Sequence, residues 1–119
     1  MENELKAAWL RAIGTPGEYV FERKLKKVRE IDHPDFDGEL YLQASGPGFF
    51  QKLLKLFPKK MTGKKPAVAV PFYHPDGMVG FDLSTREPLP KFQGITMALD
   101  LVKRGFITAA ADAYPFHFA

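Results

Sequence analysis

The run KPAVAVPFYHPDG (residues 65–77) sets a histidine and an aspartate, His74 and Asp76, directly after an apolar stretch. A loop of that kind, leaving a buried strand, is where proton transfer or charge stabilisation can be built. Two other groupings hold similar side chains: Asp112 with His117, and His33 with Asp35 and Asp37. The serines are Ser45 and Ser84. Ser45 precedes Gly46-Pro47 in a turn, and Ser84 lies in the loop FDLSTREP, where a serine serves to cap a turn through nearby backbone. Nothing places Ser84 on a strained strand-to-helix elbow, so Ser84, Asp112 and His117 share residue types with a catalytic triad and no more. A structural metal wants about four ligands in one shell. Neither Asp112 with His117 nor His33, Asp35 and Asp37 supplies that set, and His33-Pro34-Asp35 reads as a turn. With no cysteine in the chain, thiolate nucleophiles, disulfides and zinc–thiolate sites are excluded. No metal and no cofactor is expected.

The elements that would carry these residues belong to one modest domain. The chain has 119 residues, 45% hydrophobic and 13% aromatic, a composition that folds rather than staying disordered. Seventeen Lys and Arg against 14 Asp and Glu give a net charge of only +3, which suits a soluble surface and requires no nucleic acid. Arg23, Lys24, Lys26, Lys27 and Arg29, with Lys59, Lys60, Lys64 and Lys65, could form a positive stripe. Glu22 and Glu30 flank the first cluster and no recognition motif accompanies it, so a solvated face is the expected reading. The first twenty residues lack the apolar core of a signal peptide. No stretch reaches the roughly 18 apolar residues of a membrane span. A soluble, cytoplasmic protein is expected, without internal repeats.

Residues 2–13 (ENELKAAWLRAI) predict a short amphipathic helix, with Leu5, Ala8, Trp9, Ala12 and Ile13 at helical spacing and Gly14, Pro16 and Gly17 ending it. Trp9 is expected to pack that helix onto the body. From Tyr19 to Arg29 the period becomes two, which predicts a long strand. Residues 32–38 (DHPDFDG) form a turn-rich hinge, and residues 39–44 a second strand, so a hairpin is the natural pairing. Residues 49–57 (FFQKLLKLF) read as one or two turns of amphipathic helix. Phe49, Phe50, Leu53, Leu54 and Phe57 oppose Lys52 and Lys55 there, and the basic loop PKKMTGKK follows. Such a helix is too short for firm binding at a membrane surface. AVAVPFY is an unbroken apolar strand that wants cover on both faces. After a Pro- and Gly-rich loop at 74–90, residues 91–104 place Ile95, Ala98, Leu99 and Val102 on one helical stripe. Gly105 closes that helix and FITAAA makes another buried strand. Strand, helix and strand form a βαβ unit, whose crossover is right-handed in nearly all known cases.

At this unit the chain resembles the N-terminal half of an α/β-hydrolase, especially the dienelactone hydrolase and acetyl xylan esterase branch. The matching features are the hairpin, AVAVPFYHPDG, the helix ITMALDLVKRGF and the strand ITAAADAY, over about residues 20–115. The resemblance implies a loop at Tyr73-His74 bearing an oxyanion-hole amide, a turn at Arg104-Gly105-Phe106, and a strand ending at Asp112 on the rim of the active site. His74 would orient the loop rather than transfer protons. Asp112 also stands at the carboxyl end of its strand, where open α/β sheets place ligand-facing groups. One residue departs from the family's pattern. Pro75 stands where the family has glycine, and proline has no N–H to donate. The oxyanion-loop candidates are therefore Tyr73, His74, Asp76 and Gly77, with the amide of Asp76 or Gly77 as donor. A carboxylate beside a developing oxyanion is a poor neighbour unless it points away.

The family's nucleophile elbow, G-x-S-x-G, does not occur in this sequence. No catalytic residue is assigned. In the family the strand order begins 1-2-4-3-5, which leaves AVAVPFY as an apolar edge without its fifth-strand neighbour, and such edges promote association. The chain also stops soon after a buried strand, without a closing helix. The expected fold is α/β: the N-terminal part of an α/β-hydrolase-like three-layer sandwich, a β-hairpin leading into a βαβ unit. Residues 1–119 would form an incomplete domain, with 1–18 as a helical lead-in and 49–65 as an inserted helix and basic loop. The expected function is that of an N-terminal fragment of a serine-dependent ester hydrolase, inactive alone. The remainder of the protein would be its partner and a small ester its substrate once complete. Two alternatives stand beside it: a free-standing α/β binding domain that homo-oligomerises through its apolar edge, and a weak nucleic-acid-binding module using the basic clusters.

Overall fold

A two-residue turn, Pro34-Asp35, sets the register of the larger part of the molecule, because His33 pairs directly with Phe36 across it. The computed structural model describes residues 2–14, 24–46, 49–71 and 74–112. Strand β1 (Leu25–His33) runs antiparallel to β2 (Phe36–Gly46), so the hairpin is present. Both strands extend into the segment expected to be hinge, and Tyr19–Arg23 lie outside the described residues. His33 closes the turn by stacking on Phe36 at 4.5 Å and on Phe81 at 5.4 Å, and its Nδ1 accepts the Asp35 N–H. Burial holds the His33 imidazole below the usual histidine range, helped by the nearby Arg86, Lys103 and Lys59 charges and opposed by Asp35.

The expected helix at 49–57 is instead strand β3 (Phe49–Pro58), antiparallel to β2 over its whole length. The physical reason is position. A strand in the middle of a sheet is half-buried on both faces, so apolar residues fall on both, and FFQKLLKLF fits a helical stripe as readily as a strand. Only pairing with β2 on one side and with β5 (Ile107–Ala111) on the other decides between them. The segment that follows, residues 59–66, is an exposed loop as expected.

Strand β4 (Ala67–Val70) pairs in parallel with β5, giving a mixed five-stranded sheet in the order β1-β2-β3-β5-β4. The strand adjoining β5 is thus β3, not the second strand of the hairpin as expected, because β3 occupies that place. β4 is the edge strand, as the resemblance implied. Cover on both faces of β4 was also expected. Instead Val70 is buried while Ala67 and Ala69 are exposed, since helices lie against only one of its faces.

The connection from β4 to β5 carries more structure than a loop. It contains α2 (Pro75–Val79), an isolated bridge between Phe81 and Pro88, a 3-10 turn at Pro90–Phe92, and α3 (Met97–Lys103). The expected helix over 91–104 is shortened at its start because Gly94 takes φ +90° and breaks the run. Ile95 is accordingly half exposed, while Ala98 and Val102 are buried as expected. Gly105, with φ +95°, ends α3.

One face of the sheet carries the core. Ile31, Phe36, Leu40, Leu54, Leu56, Val70 and Ala110 pack under Met78 and Val79 of α2, Leu83 of the loop, and Ala98 and Val102 of α3. Each such large side chain contributes roughly 1.5–3 kcal/mol by burial. On the opposite face of the β1–β3 portion, Lys27 pairs with Glu30 and Glu39 at 2.6 and 2.9 Å, and Lys55 sits over the Tyr41 ring at 4.7 Å. The helix at the amino end, α1 (Glu2–Ile13), forms as expected. The packing expected of Trp9 is not found: no residue of α1 is buried, and Trp9 is 60% exposed. The reason is that, among the described residues, no apolar surface is laid against the apolar stripe of α1. The architecture is α/β, a mixed sheet with helices against one face.

Candidate functional site

Because β4 and β5 are parallel, whatever follows each strand emerges at the same end of the sheet. That end receives the loop entering α2 on one side and Asp112 on the other. β3 runs antiparallel to β5, so its early residues reach the same end. Lys52 arrives there on the core-facing side, in line with Leu54 and Leu56.

These groups form one connected row. Lys52 donates its backbone N–H to Asp112 Oδ2 at 2.7 Å, and the Asp112 N–H returns to the Lys52 carbonyl at 3.1 Å. This extends the β3–β5 ladder by one rung through a side chain. The Lys52 ammonium donates to Asp76 Oδ1 at 3.0 Å. Asp76 Oδ2 accepts the Leu83 N–H at 2.9 Å, and the Leu83 carbonyl accepts Arg29 Nη1 at 2.6 Å. The chain of bonds therefore runs from β5 through β3, α2 and the 81–89 loop to β1. Asp76 and Asp112 are both buried. A buried carboxylate persists only with partners, and Asp76 has two, one of them a cation. With both oxygens so engaged, Asp76 acts as a structural acceptor rather than a proton carrier.

The start of α2 is fixed by its own sequence. His74 is the N-cap, its Nδ1 accepting the Gly77 N–H at 3.3 Å, and Pro75 takes the first helical position, where its missing N–H costs nothing. The His74 ring meets Phe92 edge-on at 5.1 Å. Gly77 is required by space. A Cβ there would come within 2.6 Å of the Phe92 ring, closer than real atoms approach.

Of the residues singled out from the sequence, His74, Asp76, Gly77 and Asp112 are thus gathered at one end of the sheet. Tyr73 lies outside the described residues, as do His117 and the side chain of Ser45. Ser84 sits in an exposed turn, where Asp82 accepts the N–H groups of Ser84 and Thr85, both at 2.8 Å. Those two bonds hold the Asp82 carboxyl below its usual range. Among the described residues no cluster of three His, Asp or Glu could hold a metal. Three members of the basic stripe are paired within the molecule, and Arg23 lies outside the described residues. Lys27 bonds Glu30 and Glu39, Arg29 bonds the Leu83 carbonyl, and Lys59 bonds Asp32 and Asp37 at 2.7 Å each.

The residue that sequence reasoning missed is Lys52. Its signal is present once 49–58 is read as a strand: a single lysine on the face that otherwise carries Phe50, Leu54 and Leu56. A charge on a buried face needs a partner of opposite sign, and the partner is Asp76.

A second feature lies at the free edge of β4. Val68, Val70, Pro71, Met97, Leu101 and Arg104 line an open, largely apolar groove of about 530 Å³ between that edge and α3. Among the described residues no helix is long and apolar enough to cross a membrane.

Comparison with known proteins agrees with the architecture. No family model matches the chain, and no curated protein matches it by sequence. The fold is similar to that of a solved protein from Bacteroides fragilis, provisionally named an acetyl xylan esterase, with a TM-score of 0.63 and 18% sequence identity. The match covers 93% of this chain and 29% of that one, so the chain spans under a third of the length of the solved protein whose fold it shares.

Proposed function

We propose that this chain is the N-terminal part of a serine-dependent ester hydrolase of the α/β-hydrolase kind, inactive alone. It would be completed by the polypeptide that carries the nucleophile, its acid and its histidine. The observation that carries this reading is the convergence of the α2 turn and Asp112 at the carboxyl end of two parallel strands. It is supported by the fold shared with 29% of a solved protein provisionally named an acetyl xylan esterase. The role of the chain is then to hold an oxyanion donor. Pro75 has no N–H, and the Gly77 N–H is taken up by His74. Of the two candidate donors this favours the Asp76 amide. The objection to a carboxylate at that position falls away, because Asp76 turns its side chain toward Lys52 and Leu83. A serine from the completing segment would attack the carbonyl of a small ester and expel the alcohol, which takes its proton from the histidine. Water would then release the acid from the acyl-enzyme. The β4 edge and its groove would receive the completing segment, giving the second layer of helices and the three-layer sandwich.

The test pairs a fluorophosphonate probe for activated serines with an aryl acetate assay, on the 119-residue chain and on the chain joined to a segment bearing G-x-S-x-G. The chain alone is expected neither to label nor to turn over, and the joined protein to do both. Labelling of Ser84 in the chain alone would overturn the proposal. So would a lone chain that forms a stable homo-oligomer through the β4 edge and gains nothing from the added segment.

A further inference from the structure

Besides the groove at the β4 edge, two apolar surfaces stand open among the described residues, and the chain itself connects them. The first is the stripe of α1 formed by Leu5, Trp9 and Ile13, which are 62%, 60% and 72% exposed. The second continues the core face of the sheet past the Lys52 row. There Leu42 pairs with Lys52, and Ala44 pairs with Phe50, which is 58% exposed. Leu25 and Lys26 of β1 border the same shelf, whose hollow measures about 580 Å³.

We propose that α1 docks on this shelf and covers the flank of the Lys52–Asp112 row. A 12-residue helix is marginal in water by itself, and most helices are held by packing an apolar face. The two surfaces match in size. Leu5 to Ile13 spans about 12 Å along a helix, and the shelf from β1 to β3 crosses two strand spacings, about 10 Å. Charge favours the contact at the first turn of α1, where Glu2 and Glu4 would face the exposed Lys26 of the shelf, while Lys6 and Arg11 lie further along the helix. The tether selects the occupant. Residues 14–24 number eleven and reach at most about 36–40 Å. A link of that length gives an effective concentration of order millimolar, above what a second copy supplies. Docking would remove Trp9 and Phe50 from water together and place a roof beside the candidate site.

Trp9 is the single tryptophan of the chain, so its fluorescence reports on α1 alone. The experiment measures its emission and its quenching by iodide in the whole 119-residue chain. Trp9 is expected to be shielded several-fold relative to a free indole. Phe50→Asp should abolish that shielding, whereas Met97→Asp, at a similarly exposed apolar residue lining the β4 groove, should leave it intact. Lys26→Glu, which sets like charges against Glu2 and Glu4, should also remove the shielding. It disturbs no buried group, so it decides the matter if Phe50→Asp fails to fold. Full quenching in the parent chain, unmoved by either shelf variant, would overturn the proposal. Shielding that rises with protein concentration would assign the shelf to a second copy, and shielding only with anionic vesicles would assign α1 to a membrane surface; either would overturn it too. The readout needs no catalysis, so it stands or falls apart from the ester-hydrolase reading.

Discussion

The β1–β2–β3 portion of the sheet and the β4–β5 portion solve the same problem in different ways. The antiparallel portion is closed by local means. A two-residue turn fixes its register, its core face is buried beside that turn at Ile31, Phe36, Leu40, Leu54 and Leu56 but open beyond the Lys52 row, and much of its outer face is occupied by the Lys27–Glu30–Glu39 and Lys55–Tyr41 contacts. The parallel portion depends on elements distant in sequence. β4 is only four residues long, bonds to the sheet on one side, and is held by a connection of 36 residues, numbers 71–106. The lesson is about autonomy. Hairpins gain pairing at low loop-closure cost, while parallel strands gain it only after a long loop is ordered. The candidate site lies where the two portions meet, so its geometry rests on the less autonomous one.

Substitutions at three positions break or sharpen that contrast. The largest effect is expected from Leu54→Ala. Leu54 is fully buried on the seam, paired with Leu40 on one side and Ala110 on the other, so both portions lose packing. Urea denaturation should show a loss of about 2–5 kcal/mol, as for other buried leucines. A loss below 1 kcal/mol would mean that the portions are not packed through this residue. Asp76→Ala comes next, and it strikes the join between the two portions, where α2 and the loop behind it meet β3. It strands the buried Leu83 N–H and removes the partner of Lys52, for a cost of about 1–3 kcal/mol. Asp76→Asn keeps an acceptor for Leu83 and should recover part of that loss. If Asn and Ala cost the same, the Leu83 bond is not what holds the loop. The smallest effect has the opposite sign. The Thr108 hydroxyl is buried in β5 without a hydrogen-bond partner among the described residues. Thr108→Val should therefore raise stability by roughly 1 kcal/mol, since it removes an unsatisfied polar group at nearly constant volume. A lower midpoint in the same titration would show that the hydroxyl is satisfied in solution.

Several elements were legible because their signals are local. The end of α3 at Gly105, the turn at Pro34-Asp35 and the apolar runs of β4 and β5 each follow from residue type and near neighbours. The segment 49–58 was not legible. Leucine, phenylalanine and lysine favour no strand strongly, and their spacing fits a helical face. The short helix α2 was hidden in a Pro- and Gly-rich stretch, although His74-Pro75 is a sound N-cap and first position once the turn is known. Trp9 shows the converse case: apolar periodicity identifies a face able to bury, and it does not name the surface that would bury it.

For the site, the sequence by itself determined which side chains are available. It holds His74, Asp76 and Gly77 after an apolar strand and Asp112 after another, and it contains no cysteine and no serine elbow. Those facts are fixed by residue identity and short spacing, which no folding can change. Only the tertiary structure decided that Asp76 and Asp112 converge on Lys52, 24 and 60 residues away, and that the Asp76 carboxylate turns toward Lys52 rather than standing alone. The reason is physical. Strand pairing across long loops follows from burial and hydrogen bonding summed over the whole sheet, so a contact of that range leaves no periodic trace in the residues that make it.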